Sequence, residues 1–200
     1  VFNAFNEQLS NDVNDALKKT AKDKTVRVLV ITGSGKAFCS GQDLKAISGS
    51  KNRSLSDSLY KRYNPMIRAI RGLQIPVICK LNGVAAGAGC SLALACDMIV
   101  AAENASLIEV FVNVGLVLDS GSSYFLPRLI GSARAFELST MGSKVSAAQA
   151  LEWGMINRMV KLEELDEEVK KLTDYYAGAP TKAIGLMKKM LNKSFTSDLD

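Results

Sequence analysis

Residues 26–32, Val-Arg-Val-Leu-Val-Ile-Thr, form a β-branched run that stops at Gly33-Ser34-Gly35. A run of this kind bounded by glycines reads as a buried strand followed by a turn. The pattern returns at 76–81, closed by Asn82-Gly83, and again at 98–102. Helical spacing separates these runs. Phe5, Leu9, Val13 and Leu17 recur every four residues within 3–22, and Tyr63, Ile67, Ile70 and Leu73 repeat within 59–73. A helix of small residues is expected over 87–95, where Gly and Ala allow two backbones to pack closely. Helices follow over 122–130, 132–140 and 146–153, the last capped by Ser146, then a short strand over 155–160. Two further helices cover 162–177 and 180–194, with Pro180 at a favoured first-turn position. Residues 107–117 are apolar without a decisive period, and the Ser-, Lys- and Asn-rich stretch 48–58 reads as a mobile loop. Strands alternating with helices predict an α/β fold with right-handed crossovers.

The 200 residues suit a single domain, with 48% apolar residues to build its core. The net charge of +5 is spread among both signs without the basic stripe that nucleic acid would require. It is compatible with a phosphorylated small molecule and equally with an ordinary surface. Histidine is absent, which removes Ser-His and Cys-His catalysis and most zinc sites. The four cysteines lack C-x-x-C spacing, and Cys79, Cys90 and Cys96 lie in apolar runs, as packing residues do. A reducing compartment, the cytoplasm, is the expectation. No apolar run is long enough to span a membrane, and no signal peptide is visible.

Three segments carry possible chemistry. In Gly33-Ser34-Gly35-Lys36-Ala37-Phe38-Cys39-Ser40-Gly41-Gln42-Asp43-Leu44-Lys45 a strand ends and a polar bend opens a new helix, leaving backbone N–H groups able to hold an anion or oxyanion. A plain strand–helix connection would look the same. In Asn82-Gly83-Val84-Ala85-Ala86-Gly87-Ala88-Gly89-Cys90-Ser91 small residues again meet a helix N-terminus after a strand. That segment is neither a Walker P-loop nor a G-x-G-x-x-G fingerprint, and tight helix packing would explain it too. In Gly115-Leu116-Val117-Leu118-Asp119-Ser120-Gly121 one carboxylate stands between an apolar run and a turn. Asp119 reads equally as a helix N-cap and as a partly desolvated acid-base group.

Taken in this order, the three segments resemble the crotonase (enoyl-CoA hydratase/isomerase) superfamily, with a match running from about Asn3 to Lys193. The pair AFCSGQDL and NGVAAGAGCSLALACD carries most of the resemblance, and GLVLDSGSSYFLPRLIG with GSKVSAAQALEWGMINRMV extends it. The resemblance implies a spiral of ββα units over about 1–160, with 161–200 beginning a helical C-terminal region. It also implies assembly as a homotrimer or hexamer, and an acyl-CoA thioester as ligand. The coenzyme A arrives on the substrate, and no metal or separate cofactor is implied. The backbone N–H groups of Gln42 and Ala88 would hold the thioester oxygen, each supplying roughly 3–4 kcal/mol. Lys36, Ala37, Phe38, Ser40, Gly41, Asp43 and Leu44 would frame the coenzyme A portion, with Lys36 near phosphate. Gly87, Ser91, Phe111 and Leu116 would lie around the acyl group, and Val112 and Leu118 are further candidates for the acyl pocket.

The sequence departs from the hydratases of that family at both water-activating glutamates, where Ser91 and Phe111 stand instead. Glu109 is two residues off the second position. Asp119 matches the carboxylate of one branch of enoyl-CoA isomerases, and the stretch most resembles the phenylacetate-pathway type, with Leu118 replacing a usual Pro. The expected reaction is therefore a 1,3-proton shift from 3-enoyl-CoA to 2-enoyl-CoA. The alternatives are a ring-epoxide isomerase acting on an aromatic acyl-CoA, a hydratase using Glu109 with Asp119, and a non-catalytic acyl-CoA-binding module. The chain starts at Val1 without Met and lacks the terminal strand and helices that the resemblance implies, so a longer protein is expected.

Overall fold

The computed structural model describes residues 2–43 and 55–198. Helix α1 (Glu7–Lys22) is capped by Asn6, whose Oδ1 accepts from the Leu9 N–H at 2.8 Å. It starts four residues later than the apolar spacing predicts. Asn3 is drawn off instead, donating to the carbonyls of Ser34 and Ala37 at 2.9 and 2.8 Å, and Phe5 is buried.

Strands β1 (Leu29–Thr32) and β2 (Ala37–Cys39) follow. Next come α2 (Leu55–Ser58), a π-helical turn at Leu59–Tyr63, and α3 (Asn64–Gly72). The helix expected over 59–73 thus begins earlier, and residues 55–58 of the expected loop are helical, while 48–54 lie outside the described residues. Strands β3 (Val77–Leu81) and β4 (Val84–Ala86) lead into α4 (Ala88–Ala95). After β5 (Met98–Ala102) comes β6 (Ser106–Ile108), and a 3-10 turn at Val110–Val114 resolves the apolar segment that has no decisive period. Helix α5 (Ser122–Met141) breaks at Gly131, where φ is 78°, as the two expected helices require. Strand β7 (Lys144–Ser146), α6 (Ala147–Glu152), β8 (Arg158–Val160), α7 (Leu165–Gly178) and α8 (Thr181–Lys193) complete the chain. Ser146 caps α6 as expected, and the structure adds that Gln149 completes a capping box with it.

The strands form two sheets. Strands β1, β3, β5 and β8 pair in that order, all parallel. The three-residue strands β2, β4, β6 and β7 form the second sheet, with only β7 antiparallel to its neighbour. Three times, at β1/β2, β3/β4 and β5/β6, the chain places one strand in the first sheet, bends, places a short strand in the second and moves on one position, giving the ββα spiral, and β8 and β7 end the two sheets. The bends predicted to run straight from strand into helix therefore each contain an extra strand, β2 or β4.

The main core includes Phe5, Met66, Ile70, Leu81, Leu107 and Leu126, and a smaller cluster of Ile78, Val100, Leu165, Val169 and Leu172 lies where α7 covers the first sheet. All four cysteines are buried and unpaired. Among the described residues no helix is long and apolar enough to cross a membrane.

Candidate active site

The two glycine-rich bends meet. Gly41 adopts φ 88°, and a Cβ there would fall 2.7 Å from the Ala86 carbonyl and 3.5 Å from the Ala88 nitrogen. Gly89 is tighter still, since a Cβ would sit 2.3 Å from the Cys39 carbonyl oxygen. Hydrogen alone at these positions lets the end of β2 press against the start of α4.

That contact brings the bend at Gln42 beside the start of α4, and both line one cavity. The Phe5 N–H donates to the Gly41 carbonyl at 2.7 Å, and the Asp43 N–H donates to the Phe5 carbonyl at 2.9 Å. In an extended chain these flanking groups face Phe5, so the Gln42 N–H between them faces away. Ala88 opens α4, and the first N–H groups of a helix have no partner within it. The Gln42 side chain is occupied otherwise: its Nε2 donates to the Phe5 carbonyl at 2.8 Å, and its Oε1 accepts from the Tyr63 hydroxyl.

A cavity of about 350 Å³ opens at this junction. Its wall includes Ser40, Gly41, Gln42, Gly87, Ala88, Phe111, Leu116 and Asp119, all expected from sequence. It also includes Ser58, Leu59, Tyr63, Val110, Val114 and Val117, which are not. Spacing alone puts Tyr63 on a helix and does not reveal that a π turn aims its hydroxyl at Gln42. Ala37 and Phe38 lie buried in β2, while Lys36 is exposed on the preceding turn and Asp43 is half-buried. None of these four lines the cavity, nor do Val112 and Leu118, and Leu118 packs against the main core instead. Leu44 lies outside the described residues.

Asp119 is half-buried on the wall, and burial raises its carboxyl above the usual aspartate range, although the Ser120 hydroxyl, donating to Oδ1 at 2.7 Å, pulls the other way. It does not cap a helix: Gly121 takes the N-cap position of α5 with no side-chain cap. Two left-handed residues, Ser120 (φ 49°) and Gly121 (φ 89°), turn the chain sharply after it. The Asp119 carbonyl accepts from the Ser122 N–H at 2.9 Å and from the Ser91 hydroxyl at 3.3 Å.

Ser91 itself is fully buried and does not reach the cavity, contrary to its expected place beside the acyl group. Its hydroxyl lies 2.7 Å from that of Ser122, which donates to Glu109 Oε1 at 2.9 Å. Glu109 is 2% exposed and absent from the cavity wall. Burial is the main force pushing its carboxyl up to about 7, opposed by hydrogen bonds from Ser122 and Cys90 and assisted by the nearby charge of Asp119. Among the described residues no group of three or more potential ligands could hold a metal ion.

Comparison with known proteins bears on this geometry directly. The family model described as enoyl-CoA hydratase/isomerase matches residues 1–200. The chain is 40% identical over 201 residues to the 1,2-epoxyphenylacetyl-CoA isomerase of Escherichia coli (strain K12), covering 99% of this chain and 77% of that protein. It is 33% identical over 205 residues to the crotonyl-CoA hydratase of Syntrophomonas wolfei, covering 99% of this chain and 76% of the relative. The crystal structure of an enoyl-CoA hydratase from Mycobacterium smegmatis superposes with a TM-score of 0.92 at 33% identity, over 99% of this chain and 77% of that one. The meeting of two glycine bends, the ββα spiral and these likenesses agree: the chain belongs to the crotonase, or enoyl-CoA hydratase/isomerase, family.

Proposed function

We propose that the protein is an acyl-CoA isomerase in which Asp119 moves a proton from C2 to C4 of a 3-enoyl-CoA. The observation that carries this reading is that Asp119 is the single acidic side chain on the cavity wall among the described residues. Proton abstraction at C2 sends negative charge onto the thioester oxygen. The N–H groups of Gln42 and Ala88 face that oxygen and stabilise the enolate as it forms. The same carboxyl, now protonated, returns the proton at C4, so one group suffices. Desolvation makes the ionised Asp119 a stronger base than an exposed aspartate. Water addition needs a second group to activate water. Phe111 supplies none, and Glu109, absent from the wall, is not placed to do so. Coenzyme A would lie toward the Lys36 turn, with Lys36 as a phosphate partner.

A second reading is favoured by the Escherichia coli relative, whose name gives 1,2-epoxyphenylacetyl-CoA as substrate. The apolar wall formed by Tyr63, Phe111, Val114 and Leu116 suits a ring as well as a chain. Purified protein is assayed for 3-enoyl-CoA isomerisation, ring-epoxide isomerisation and 2-enoyl-CoA hydration, with Asp119→Asn alongside. We expect isomerisation to dominate hydration and Asp119→Asn to lose at least about a hundredfold in kcat, the scale of a general base. Full isomerase activity in that variant would remove Asp119 from the mechanism.

We infer further that the chain works as a homotrimer or a pair of trimers. Helix α8 supports this reading by exposing Met187 (59%), Met190 (71%) and Leu191 (69%), apolar surface that a neighbouring subunit would cover. Sedimentation velocity should give three or six times the chain mass, and a monomer at every concentration would overturn the inference.

A further inference from the structure

Glu109 has a task in neither reading of the wall, yet it is held in a defined place. It follows β6, is 2% exposed, and its buried Oε2 has no N–H or O–H donor, the weakly donating Cys90 thiol being the other polar group beside the carboxyl. A buried carboxylate with one oxygen unpaired is costly, whereas a neutral carboxyl in the same place loses far less. Its Oε1 begins a chain of hydroxyls: Ser122 at 2.9 Å, then Ser91 a further 2.7 Å on. The Ser91 hydroxyl ends 3.3 Å from two carbonyl oxygens, those of Gly87 and Asp119. The Gly87 carbonyl belongs to the same peptide unit as the Ala88 N–H, and the Asp119 carbonyl to the turn that presents the proposed base.

Each serine has one hydroxyl hydrogen, so the direction of the chain depends on Glu109. When Glu109 is ionised, Ser122 donates to it and Ser91 donates to Ser122, which leaves both carbonyls without the Ser91 hydrogen. When Glu109 is neutral, its O–H donates to Ser122, Ser122 donates to Ser91, and Ser91 is free to donate to the Gly87 or Asp119 carbonyl. A hydrogen bond accepted by the Gly87 carbonyl polarises its peptide and strengthens the Ala88 N–H as a donor.

We propose that Glu109 is a positioning residue that works in its neutral form, acting through Ser122 and Ser91 to strengthen the Ala88 N–H and to hold the Asp119 turn. This rests on the isomerase reading above. The titratable groups facing Glu109 are Cys90, from α4, and Asp119, ahead of α5. Burial pushes the Cys90 thiol well above its ordinary range, so it stays neutral, and the Asp119 charge favours a neutral Glu109.

Full activity then needs Asp119 ionised and Glu109 neutral, which gives a profile that rises on the acid side and steps down on the alkaline side. It rises as Asp119 loses its proton and falls as the pH passes the Glu109 value of about 7. On the alkaline side kcat should fall through a single ionisation to a lower plateau, the level that Ser91→Ala shows at every pH where Asp119 is ionised. The test compares kcat and KM from pH 5 to 9 in the wild type, Glu109→Gln, Ser91→Ala and Asp119→Asn. The Gln amide donates to Ser122 and cannot ionise, so Glu109→Gln should lose the alkaline fall. Ser91→Ala should lose it too, with kcat lowered and KM little changed. Glu109→Gln keeping the wild-type alkaline limb would overturn the proposal, because a purely structural role alters stability without moving that limb. If Glu109→Gln fails to fold, Ser91→Ala decides, and an unchanged kcat profile there is equally adverse. Asp119→Asn separates the two ideas: activity in it refutes the isomerase base, whereas an inactive Asp119→Asn beside an unshifted Glu109→Gln refutes only the role of Glu109.

Discussion

Glu109 also couples the site to the stability of the fold. Its carboxyl stands at about 7 in the folded chain against 4.5 when solvated. As the pH rises past 4.5 the unfolded chain gives up this proton while the folded chain retains it. The contribution is fully present below 4.5 and is lost as the pH rises through about 7, the opposite sense to a carboxylate held by a cation. Each pH unit between those two values is worth about 1.4 kcal/mol, so the loss amounts to roughly 3 kcal/mol. Asp119 is raised in the same direction and adds a smaller slope of the same sign. Urea denaturation from pH 4 to 8 should therefore show stability falling in the wild type and falling much less in Glu109→Gln, with the residual slope due to Asp119. Equal slopes in the two proteins would mean that Glu109 does not titrate in this range.

At the level of elements, what was legible in the sequence divides by whether the cause is local. The strands β1, β3 and β5 and helices α1, α4, α7 and α8 are written in apolar runs and caps, although β1, expected to be buried, is only half-buried at the edge of its sheet. The Ser146 cap is read directly from its place before an apolar stretch, and Gln149 completes it as a capping box. The four strands of the second sheet are not legible in this way. Each has only three residues, and β4 is Val-Ala-Ala, so neither alternation nor propensity marks it. Strands β2 and β4 pair because Gly41 and Gly89 let the chain close on itself until backbone meets backbone. The same distinction applies to the site. The glycine bends and the lone carboxylate of Asp119 stand out in the sequence, but Gln42 and Ala88 are singled out within those bends only by the family resemblance; all three line the cavity. Tyr63 reaches the cavity through a π turn, and Ser91 turns inward to Ser122, and neither orientation leaves a trace in residue spacing.

Across the whole molecule, distant parts of the chain converge on one carboxylate. Asp97, between α4 and β5, accepts from the Val77 N–H at 2.9 Å, pairs with Arg71 of α3 at 3.0 Å and with Lys188 of α8 at 2.7 Å. Lys188 is 7% exposed and also donates to the carbonyls of Ile70 and Ile75 at 2.8 and 3.3 Å. Asn192 of α8 adds a bond to the Arg71 carbonyl at 3.1 Å. Helix α8 is thereby fastened to the spiral by ionic and polar contacts, while much of its apolar side chain surface stays outside. Desolvation pulls the Lys188 ammonium below its ordinary range despite Asp97, so the charge is held at a cost that only its partner offsets. Replacing Asp97 with Asn leaves two cations close together without their counter-charge. That should cost about 3 kcal/mol, the low end for a broken buried pair because the Asp97 side chain is still 19% exposed. Adding K188M removes the stranded ammonium and fills its channel with an apolar chain of similar length. The double variant D97N/K188M should therefore unfold at higher urea than D97N alone, a positive coupling expected of groups in direct contact. If the second substitution adds its own loss instead, the main-chain bonds from Lys188 to Ile70 and Ile75 hold α8 more than the ion pair does.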